Sequence, residues 1–198
     1  MIITVAGFKG GVGKTTTAVH LACYFAEQSP HTLLVDGDPN RSSLSWSKRG
    51  KLPFEVCDLM AAAKASQGKK HIIIDTKAHP DLVELETLSS GCDLLVLPTT
   101  PDALALEALL TTVGNLGKLD HSKVLITMVD SRKKSTATQA KETLNRLSIP
   151  VFNQEIRRLT AYEKAALVGV PVYQSGDRFG RIAWREYQAL GQEIEANG

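Results

Sequence analysis

Short apolar runs alternate with longer amphipathic segments along the whole chain. The runs are rich in Val, Ile and Leu and mostly uninterrupted by polar residues, which is typical of strands covered by helices on both faces. They predict strands at Ile2–Ala6, Thr32–Val35, Phe54–Val56, Ile72–Ile74, Leu94–Leu97, Val124–Val129 and, weakly, Val151–Phe152. The intervening segments show helical spacing and predict helices at Thr15–Glu27, Leu59–Ser66, Asp81–Leu88, Ala103–Leu116, Thr136–Leu147, Ala161–Val168 and Arg178–Glu195.

This alternation of strands and helices predicts an α/β fold with a mostly parallel, twisted sheet that has helices on both faces. The 198 residues fit one domain, 1–198, and no internal repeat or long linker divides them. In open parallel sheets, ligands bind beyond the carboxyl ends of the strands. The residues that directly follow each predicted strand are therefore the first candidates for a functional site.

Composition and charge exclude several classes of protein. The hydrophobic fraction of 43% and the charged fraction of 22% are ordinary for a chain with a packed core and exclude a disordered one. Cys23, Cys57 and Cys92 are widely spaced, which favours reduced thiols over disulfides or zinc ligands. No apolar run approaches the roughly 18 residues that span a bilayer. These features predict a soluble cytoplasmic protein without a membrane segment.

A glycine-rich loop follows the first predicted strand and precedes the first predicted helix, with the sequence Gly7-Phe8-Lys9-Gly10-Gly11-Val12-Gly13-Lys14-Thr15-Thr16. Backbone N–H groups of such a loop, together with the helix N-terminus, can surround a phosphate chain. Lys14 is then placed to reach the β- and γ-phosphates, and the Thr15 hydroxyl to bind Mg²⁺. We predict nucleotide contacts from Gly10, Gly11, Val12, Gly13, Lys14, Thr15 and Thr16, with Lys14 also a catalytic residue.

Carboxylates end two other predicted strands. Asp36 and Asp38 follow the second strand, and Asp75 directly follows the run Ile72–Ile74. A magnesium nucleotide site needs carboxylates near the metal, usually acting through bound water, because Mg²⁺ retains several waters. An isolated aspartate at a strand end is more often a turn former. Together with the glycine loop, however, Asp36, Asp38 and Asp75 are predicted to lie around the metal with Thr15.

The segment Lys9-Gly10-Gly11-Val12-Gly13-Lys14-Thr15 resembles the deviant Walker A motif of the ParA/MinD class of ATPases. Phe8 occupies the place where the general phosphate-loop pattern has glycine, and the additional Lys9 precedes the glycines. The resemblance implies that Lys9 reaches the phosphates bound by a partner subunit, so that ATP and Mg²⁺ are held in a homodimer. It also implies that Asp38, the second aspartate of Asp-x-Asp-Pro, orients the attacking water.

The resemblance extends over nearly the whole chain, although more loosely outside the loop. Pro98–Pro101 resembles the strand end that precedes an interface helix, and the region around Gly169–Val172 resembles the C-terminal part of the class. Asp130 and Pro171 are the candidates for contacts with adenine. The short chain is similar to small ParA-type members without an N-terminal helix-turn-helix, which are ParF-like in plasmid partition or McdA-like in carboxysome positioning.

One position departs from the class. Relatives often have Thr-Pro after the aspartate that ends the fourth strand, whereas this chain continues Thr76-Lys77. Lys77 is expected near the γ-phosphate, where it either contacts phosphate or the partner subunit, or is simply solvated.

The resemblance also implies function and partners. Members of the class bind DNA without sequence preference as ATP dimers, associate with the nucleoid and respond to a ParB-like adaptor that stimulates a weak intrinsic hydrolysis. The net charge of +2 does not itself indicate DNA binding, but a local basic face on each subunit of a dimer is sufficient. The candidate residues for that face are Arg132, Arg157, Arg158, Lys164, Arg178, Arg181 and Arg185.

Two other functions remain as alternatives. A MinD-like protein at a membrane surface needs a basic amphipathic C-terminal helix, whereas Ile182, Leu190 and Ile194 suggest packing against the domain and the end of the chain is acidic. A metabolic P-loop enzyme of the iron–sulfur type needs a pair of cysteines per chain, and Cys92 has no such companion. We therefore expect no membrane partner and an ATPase that positions a plasmid, a chromosome origin or a protein organelle.

Overall fold

The computed structural model describes residues 1–115 and 121–197. Within these residues the strands are β1 (Ile2–Gly7), β2 (Thr32–Gly37), β3 (Glu55–Asp58), β4 (His71–Ala78), β5 (Leu94–Thr99) and β6 (Ser122–Ile126). The α-helices are α1 (Lys14–Gln28), α2 (Ser42–Arg49), α3 (Leu59–Ala65), α4 (Leu82–Ser90), α5 (Ala103–Asn115), α6 (Lys134–Arg146), α7 (Thr160–Val168) and α8 (Gly180–Asn197). A 3₁₀ turn covers Val172–Gln174.

The strands form one parallel sheet in the order β3-β2-β4-β1-β5-β6. β1 lies in the middle, between β4 and β5, and its last residue Gly7 is opposite Ala78 of β4. On the other side of β4, the register places Asp36 of β2 opposite Asp75. The predicted α/β fold with a parallel sheet is confirmed, and the register brings the glycine loop and the carboxylates to one edge.

Apolar side chains on both faces of the sheet explain why the strand sequences are continuous rather than alternating. On one face Ile3, Val5 and Ile73 pack into a core with α1, α7 and α8. On the other face Leu95 and Leu97 pack with α4, α5 and α6. Helices therefore cover both faces, as the sequence predicts.

Two elements differ from the sequence prediction. α2 is not predicted, because its sequence is rich in serine and it buries only Ser43 and Trp46. The predicted strand at Val151–Phe152 is reduced to a single parallel bridge between Val151 and Val124. The predicted end of α5 at Leu116 lies outside the described residues.

The C-terminal helix α8 packs its apolar side chains against the domain. Leu190 and Ile194 are buried as expected, and Trp184 is buried as well. Ile182 is different, since it is 38% exposed, so the expectation that it packs against the domain is wrong. None of the helices among the described residues is both long and apolar enough to cross a bilayer.

Two glycines bring the end of α2 against the end of α7. Gly169 follows α7 in the left-handed conformation, with a φ of +80°, and a Cβ at this position would lie 2.3 Å from the backbone nitrogen of Gly50. A Cβ at Gly50 would in turn lie 2.5 Å from the carbonyl oxygen of Val168. At Gly50 and Gly169 the two helix ends therefore meet backbone to backbone, with no room for a Cβ.

A fully buried histidine connects α1 to the C-terminal part of the chain. The Nδ1 of His20 lies 2.7 Å from the carbonyl oxygen of Thr16, and the backbone N–H of Val172 donates to its Nε2 at 3.2 Å. The imidazole also stacks on the ring of Tyr187, with 4.8 Å between centroids. This pattern requires the neutral tautomer with its proton on Nδ1. Burial disfavours the charged ring and lowers the pKa of His20 to about 4.

The contact between Gly50 and Gly169 predicts a large loss of stability for Gly169→Ala. The matched control is Gly68→Ala, since Gly68 also has a positive φ but its Cβ would meet nothing within 4 Å. The control should lose about 1–2 kcal/mol from backbone strain alone. Gly169→Ala should lose about 1–3 kcal/mol more, from overpacking against backbone. Urea unfolding measures both, and equal losses would contradict the close contact.

The lowered pKa of His20 predicts a specific loss of stability in acid. An unfolded chain binds a proton at this histidine below about pH 6.5, whereas the folded chain does not until about pH 4. The free energy of unfolding should therefore fall as pH decreases through this window, by up to about 3 kcal/mol for this residue. His20→Gln, compared with the exposed control His31→Gln, should lack this contribution. If the free energy of unfolding depended on pH in the same way in wild type and in His20→Gln, the lowered pKa of His20 would be contradicted.

Candidate functional site

The glycine-rich segment connects β1 to α1 at the carboxyl edge of the sheet. Gly11 and Gly13 have φ values of +77° and +85°, which side chains with a Cβ rarely adopt. Gly13 is also the N-cap of α1, and no side chain caps the helix there. Because the first N–H groups of a helix lack intrahelical partners, the end of α1 presents free donors and partial positive charge. This is the geometry that binds a phosphate group.

Residues that follow two other strands of the sheet hold this loop in place. The Thr127 hydroxyl, just after β6, lies 2.8 Å from the Val12 carbonyl oxygen, to which it donates. The backbone N–H of His79, just after β4, donates to the carbonyl oxygen of Gly7 at 3.1 Å. The loop conformation is therefore fixed by tertiary hydrogen bonds before any ligand binds. Neither Thr127 nor His79 stands out in the sequence as a site residue.

Lys14, the first residue of α1, is buried beside the loop. Its aliphatic stem packs on Gly7, where a Cβ would lie only 3.1 Å from the Lys14 Cδ. No salt bridge to Lys14 is present among the described residues. Its charge does, however, favour the ionised form of Asp75. A lysine held beside the loop without an ion pair is suited to an anionic ligand such as phosphate.

Asp36 and Asp75 are both buried and lie opposite each other in adjacent strands. Ser43 donates to the Oδ2 of Asp75 at 2.8 Å, while the Oδ1 is buried and makes no hydrogen bond in the described part of the chain. The pKa of Asp75 is raised to about 6, mainly by burial and to a smaller extent by the charge of Asp36, while hydrogen bonds from Thr15 and Ser43 oppose the rise. An unpartnered carboxylate oxygen in this position calls for a cation or for water bound to one.

The donor set therefore fits a magnesium ion. Oxygen atoms from Asp36, Asp75 and the Thr15 hydroxyl are hard donors of the kind that Mg²⁺ takes up together with water and phosphate. The two carboxylates repel each other, and a divalent cation reduces this repulsion. The structure thus brings together three of the four residues predicted for the metal.

Asp38, the fourth of them, lies at the start of the turn after β2. Its backbone N–H donates to Asp36 Oδ1 at 3.1 Å, and its own Oδ1 accepts from the N–H of Asn40 at 2.8 Å. The side chain is partly exposed and forms a local turn rather than a contact with Asp75. It is positioned at the rim of the site, on the solvent side of the buried carboxylates.

Lys9 lies at the opposite end of the loop and contacts the start of α5. Its Nζ is 3.5 Å from Asp102 Oδ1, and both side chains are largely solvent-accessible. A hydrogen bond from the Thr100 hydroxyl is the main reason that the pKa of Asp102 is lowered, and Lys9 contributes less. Lys9 therefore has only a weak, partly exposed ion pair within this chain.

Lys77, the residue that departs from the class pattern, forms an ion pair with Glu84. Its Nζ is 2.5 Å from Glu84 Oε1, and the pair lies beside an apolar cavity of about 360 Å³ between α3 and α4. The hydrogen bond raises the pKa of Lys77 and lowers that of Glu84. In this conformation Lys77 is thus directed to α4, and both side chains remain partly exposed.

A second cavity, of about 250 Å³, begins where the phosphate loop ends. It is lined by Gly13, Thr16, Thr127, Met128, Ile156, Arg157, Arg158, Leu159, Tyr162, Glu163, Ala166 and Tyr187. Its position next to the first turn of α1 suits a nucleoside whose phosphates lie in the loop. Asp130 and Pro171, the candidates for adenine contacts, are not among the residues that line it. Asp130 instead pairs with Arg132 at 3.2 Å.

The candidate DNA-binding residues divide into two groups. Some are engaged within the chain: Arg132 with Asp130, Arg157 with Glu186, Lys164 with the Gly176 carbonyl, and Arg178 over the ring of Phe179. The other three, Arg158, Arg181 and Arg185, are exposed and have no ion-pair partner among the described residues. Arg181 and Arg185 are four residues apart on α8 and so lie on one helix face.

Comparison with known proteins agrees with this geometry. The model of the CobQ/CobB/MinD/ParA nucleotide binding domain matches residues 3–172. The chain is 36% identical to the maintenance of carboxysome distribution protein A of Gloeobacter kilaueensis, over 98% of this chain and 94% of that protein.

Solved structures share the fold. A putative plasmid partition protein from Borrelia burgdorferi bound to AMPPNP superposes with a TM-score of 0.72 at 18% identity, over 100% of this chain and 99% of that one. The MinD cell division protein of Aquifex aeolicus superposes with a TM-score of 0.76 at 14% identity, over 100% of this chain and 97% of that one. The predicted P-loop NTPase fold and ParA/MinD resemblance are confirmed, and the chain belongs to the CobQ/CobB/MinD/ParA nucleotide-binding family.

Proposed function

We propose that this protein is an ATPase that forms an ATP-dependent homodimer, binds nucleoid DNA without sequence preference and positions a cargo. A ParB-like adaptor would stimulate its hydrolysis and release it from DNA. Two observations beside the glycine loop carry the proposal: Lys14 has no salt bridge among the described residues, and the buried Asp75 Oδ1 accepts no hydrogen bond from them. The phosphates of ATP would pair with Lys14, and magnesium, directly or through water, would contact Asp75 Oδ1.

Each part of the nucleotide has a matching group in this chain. The loop N–H groups and Lys14 would hold the β- and γ-phosphates, and the Thr15 hydroxyl with Asp36 and Asp75 would hold Mg²⁺ directly or through water. The metal supplies positive charge that neutralises the phosphates during transfer. The cavity beside Gly13 would take the nucleoside, with its walls formed by 127–128 and 156–159.

Hydrolysis requires a water molecule oriented towards the γ-phosphate. Asp38 lies two residues after the buried Asp36, in the turn that follows β2, and its carboxylate is partly exposed and able to accept a hydrogen bond from water. Lys9 is held only by the exposed Asp102 in its own subunit, so little is lost when it extends to a partner's phosphates. These placements support roles in water orientation for Asp38 and in dimerisation for Lys9.

The exposed arginines support a DNA surface. Arg158, Arg181 and Arg185 carry charge that no acidic side chain in the described residues neutralises. A homodimer presents this set twice, so that several phosphates can be neutralised although the chain has a net charge of only +2. The buried apolar side of α8 gives no corresponding support to a lipid-binding helix.

The relatives support a narrower proposal for the cargo. The protein of Gloeobacter kilaueensis that distributes carboxysomes is similar over almost the full length of both chains. A protein organelle of this kind is therefore the first cargo to test, and a plasmid or chromosome origin is the second. The adaptor, rather than this chain, would distinguish among them.

Two substitutions separate binding from turnover. Lys14→Ala should lose ATP affinity by tenfold or more, as expected when a buried cation on the phosphates is removed. Asp38→Ala should keep the affinity and lose most of the turnover, because only the attacking water loses its acceptor. Titration with a fluorescent ATP analogue and phosphate release measure the two effects. Unchanged affinity in Lys14→Ala, or normal turnover in Asp38→Ala, would contradict these roles.

The DNA surface is tested with random-sequence duplex DNA in ATP, in ADP and without nucleotide, across a salt series. Wild type should bind only with ATP, and its affinity should fall steeply with salt. Arg181→Glu with Arg185→Glu should weaken this binding and reduce the salt slope by about 1 for each lost phosphate contact. Lys64→Glu, an exposed change on α3, is the control. Binding that is independent of ATP, or unaffected by the arginine changes, would contradict the assignment.

A further inference from the structure

A serine on α2 makes direct contact with a buried carboxylate of the site. Ser43 is fully buried, and its hydroxyl donates to Asp75 Oδ2 at 2.8 Å across a separation of 32 residues in sequence. The other oxygen of this carboxylate, Asp75 Oδ1, is buried and accepts no hydrogen bond from the described residues. Ser43 therefore fixes which oxygen of Asp75 is occupied by protein and which is left for a ligand.

The next residue of the same helix contacts the second buried carboxylate. The backbone N–H of Leu44 donates to Asp36 Oδ2 at 2.8 Å. Two consecutive residues in the first turn of α2 thus hold Asp36 and Asp75, which come from adjacent strands. A displacement of α2 would change the orientation of both carboxylates together.

The other end of α2 contacts the wall of the nucleoside cavity. The Trp46 indole N–H donates to the Val170 carbonyl oxygen at 3.2 Å, and Arg49 Nε donates to that of Ala166 at 2.8 Å. Ala166 lines the cavity beside Gly13, as do Tyr162 and Glu163 of the same helix α7. A single eight-residue helix therefore touches the metal side of the site and the nucleoside side.

We propose that Ser43 is a positioning residue, which turns Asp75 so that Oδ1 faces the cation, and that α2 couples the metal side of the site to the nucleoside cavity. The inference rests on the proposed binding of Mg²⁺ and nucleotide. Ser43 itself does not touch the nucleotide or the reacting atoms; it acts through Asp75. Removal of its hydroxyl takes away the hydrogen bond that the buried Asp75 Oδ2 accepts from α2, so the carboxylate is held less firmly in its orientation.

The chain offers closely matched variants for the test. Ser43→Ala removes the hydroxyl, and Ser43→Cys keeps the size while substituting a weak donor. Ser45→Ala is the control, because Ser45 lies on the same helix and its side chain makes no hydrogen bond in the described structure. Since the chain has two tryptophans, each variant is made with Trp184→Phe, so that Trp46 is the single fluorophore and reports on α2.

The experiment titrates ADP first in EDTA and then with increasing MgCl₂, and follows Trp46 emission and nucleotide affinity. In the Trp184→Phe background and in Ser45→Ala, Mg²⁺ should strengthen ADP binding and shift Trp46 emission. Ser43→Ala should bind ADP in EDTA with an affinity within twofold of the control, but need roughly tenfold more Mg²⁺ for half-saturation. Its Trp46 emission should no longer respond to Mg²⁺, and Ser43→Cys should lie between the two.

Three results would overturn the inference. An unchanged Mg²⁺ requirement in Ser43→Ala means that the hydroxyl does not position Asp75. An equal loss of affinity in EDTA and in Mg²⁺, or unfolding of Ser43→Ala while Ser43→Cys resembles wild type, means that Ser43 serves only packing. If the wild type and the Trp184→Phe parent both bind no nucleotide under any condition, the proposed function fails as well, which distinguishes that failure from the first two.

Discussion

Asp36 and Asp75 lie side by side in adjacent parallel strands, both removed from solvent, and this pair of like charges constrains everything around it. Two carboxylates so placed are unfavourable unless positive charge and hydrogen-bond donors surround them. The protein supplies Lys14, the Ser43 hydroxyl and backbone N–H groups, yet leaves Asp75 Oδ1 without a hydrogen bond in the described residues. In the proposed function, a cation with the phosphates of ATP would supply the partner that Asp75 Oδ1 lacks.

The fold delivers the groups that this pair requires. Because β1 lies in the middle of the sheet, the loop after it is held by residues that follow two other strands, His79 after β4 and Thr127 after β6. The loop directs the N-terminus of α1 to the same edge at which the carboxylates lie. The register of the parallel sheet thus brings Lys14, the N-terminus of α1 and the carboxylates of Asp36 and Asp75 to one edge, although they come from different segments of the chain.

The sequence predicts that the glycine loop, Lys14 and the aspartates lie at one edge of the sheet, and the structure places Gly13, Lys14 and Asp75 there, because strand ends are recognisable from local sequence. It does not predict α2, whose helix depends on tertiary contacts of Ser43 and Trp46 rather than on an apolar stripe. The cavity beside Gly13 is not predicted either. Its walls at 127–128 and 156–159 come from segments far apart in sequence and leave no recognisable spacing, and Asp130, proposed for an adenine contact, lies outside this lining.

In the proposed function, ATP joins two copies of this chain because Lys9 of each copy reaches the phosphates bound by the other. Sedimentation equilibrium with Mg²⁺ and a non-hydrolysable ATP analogue, with ADP, and without nucleotide tests it most directly. We expect twice the monomer mass only with the ATP analogue, and a monomer in every state for Lys9→Ala, which should still bind the analogue through Lys14. A monomer in all states of the wild type, or a Lys9→Ala dimer as stable as that of wild type, would contradict the account.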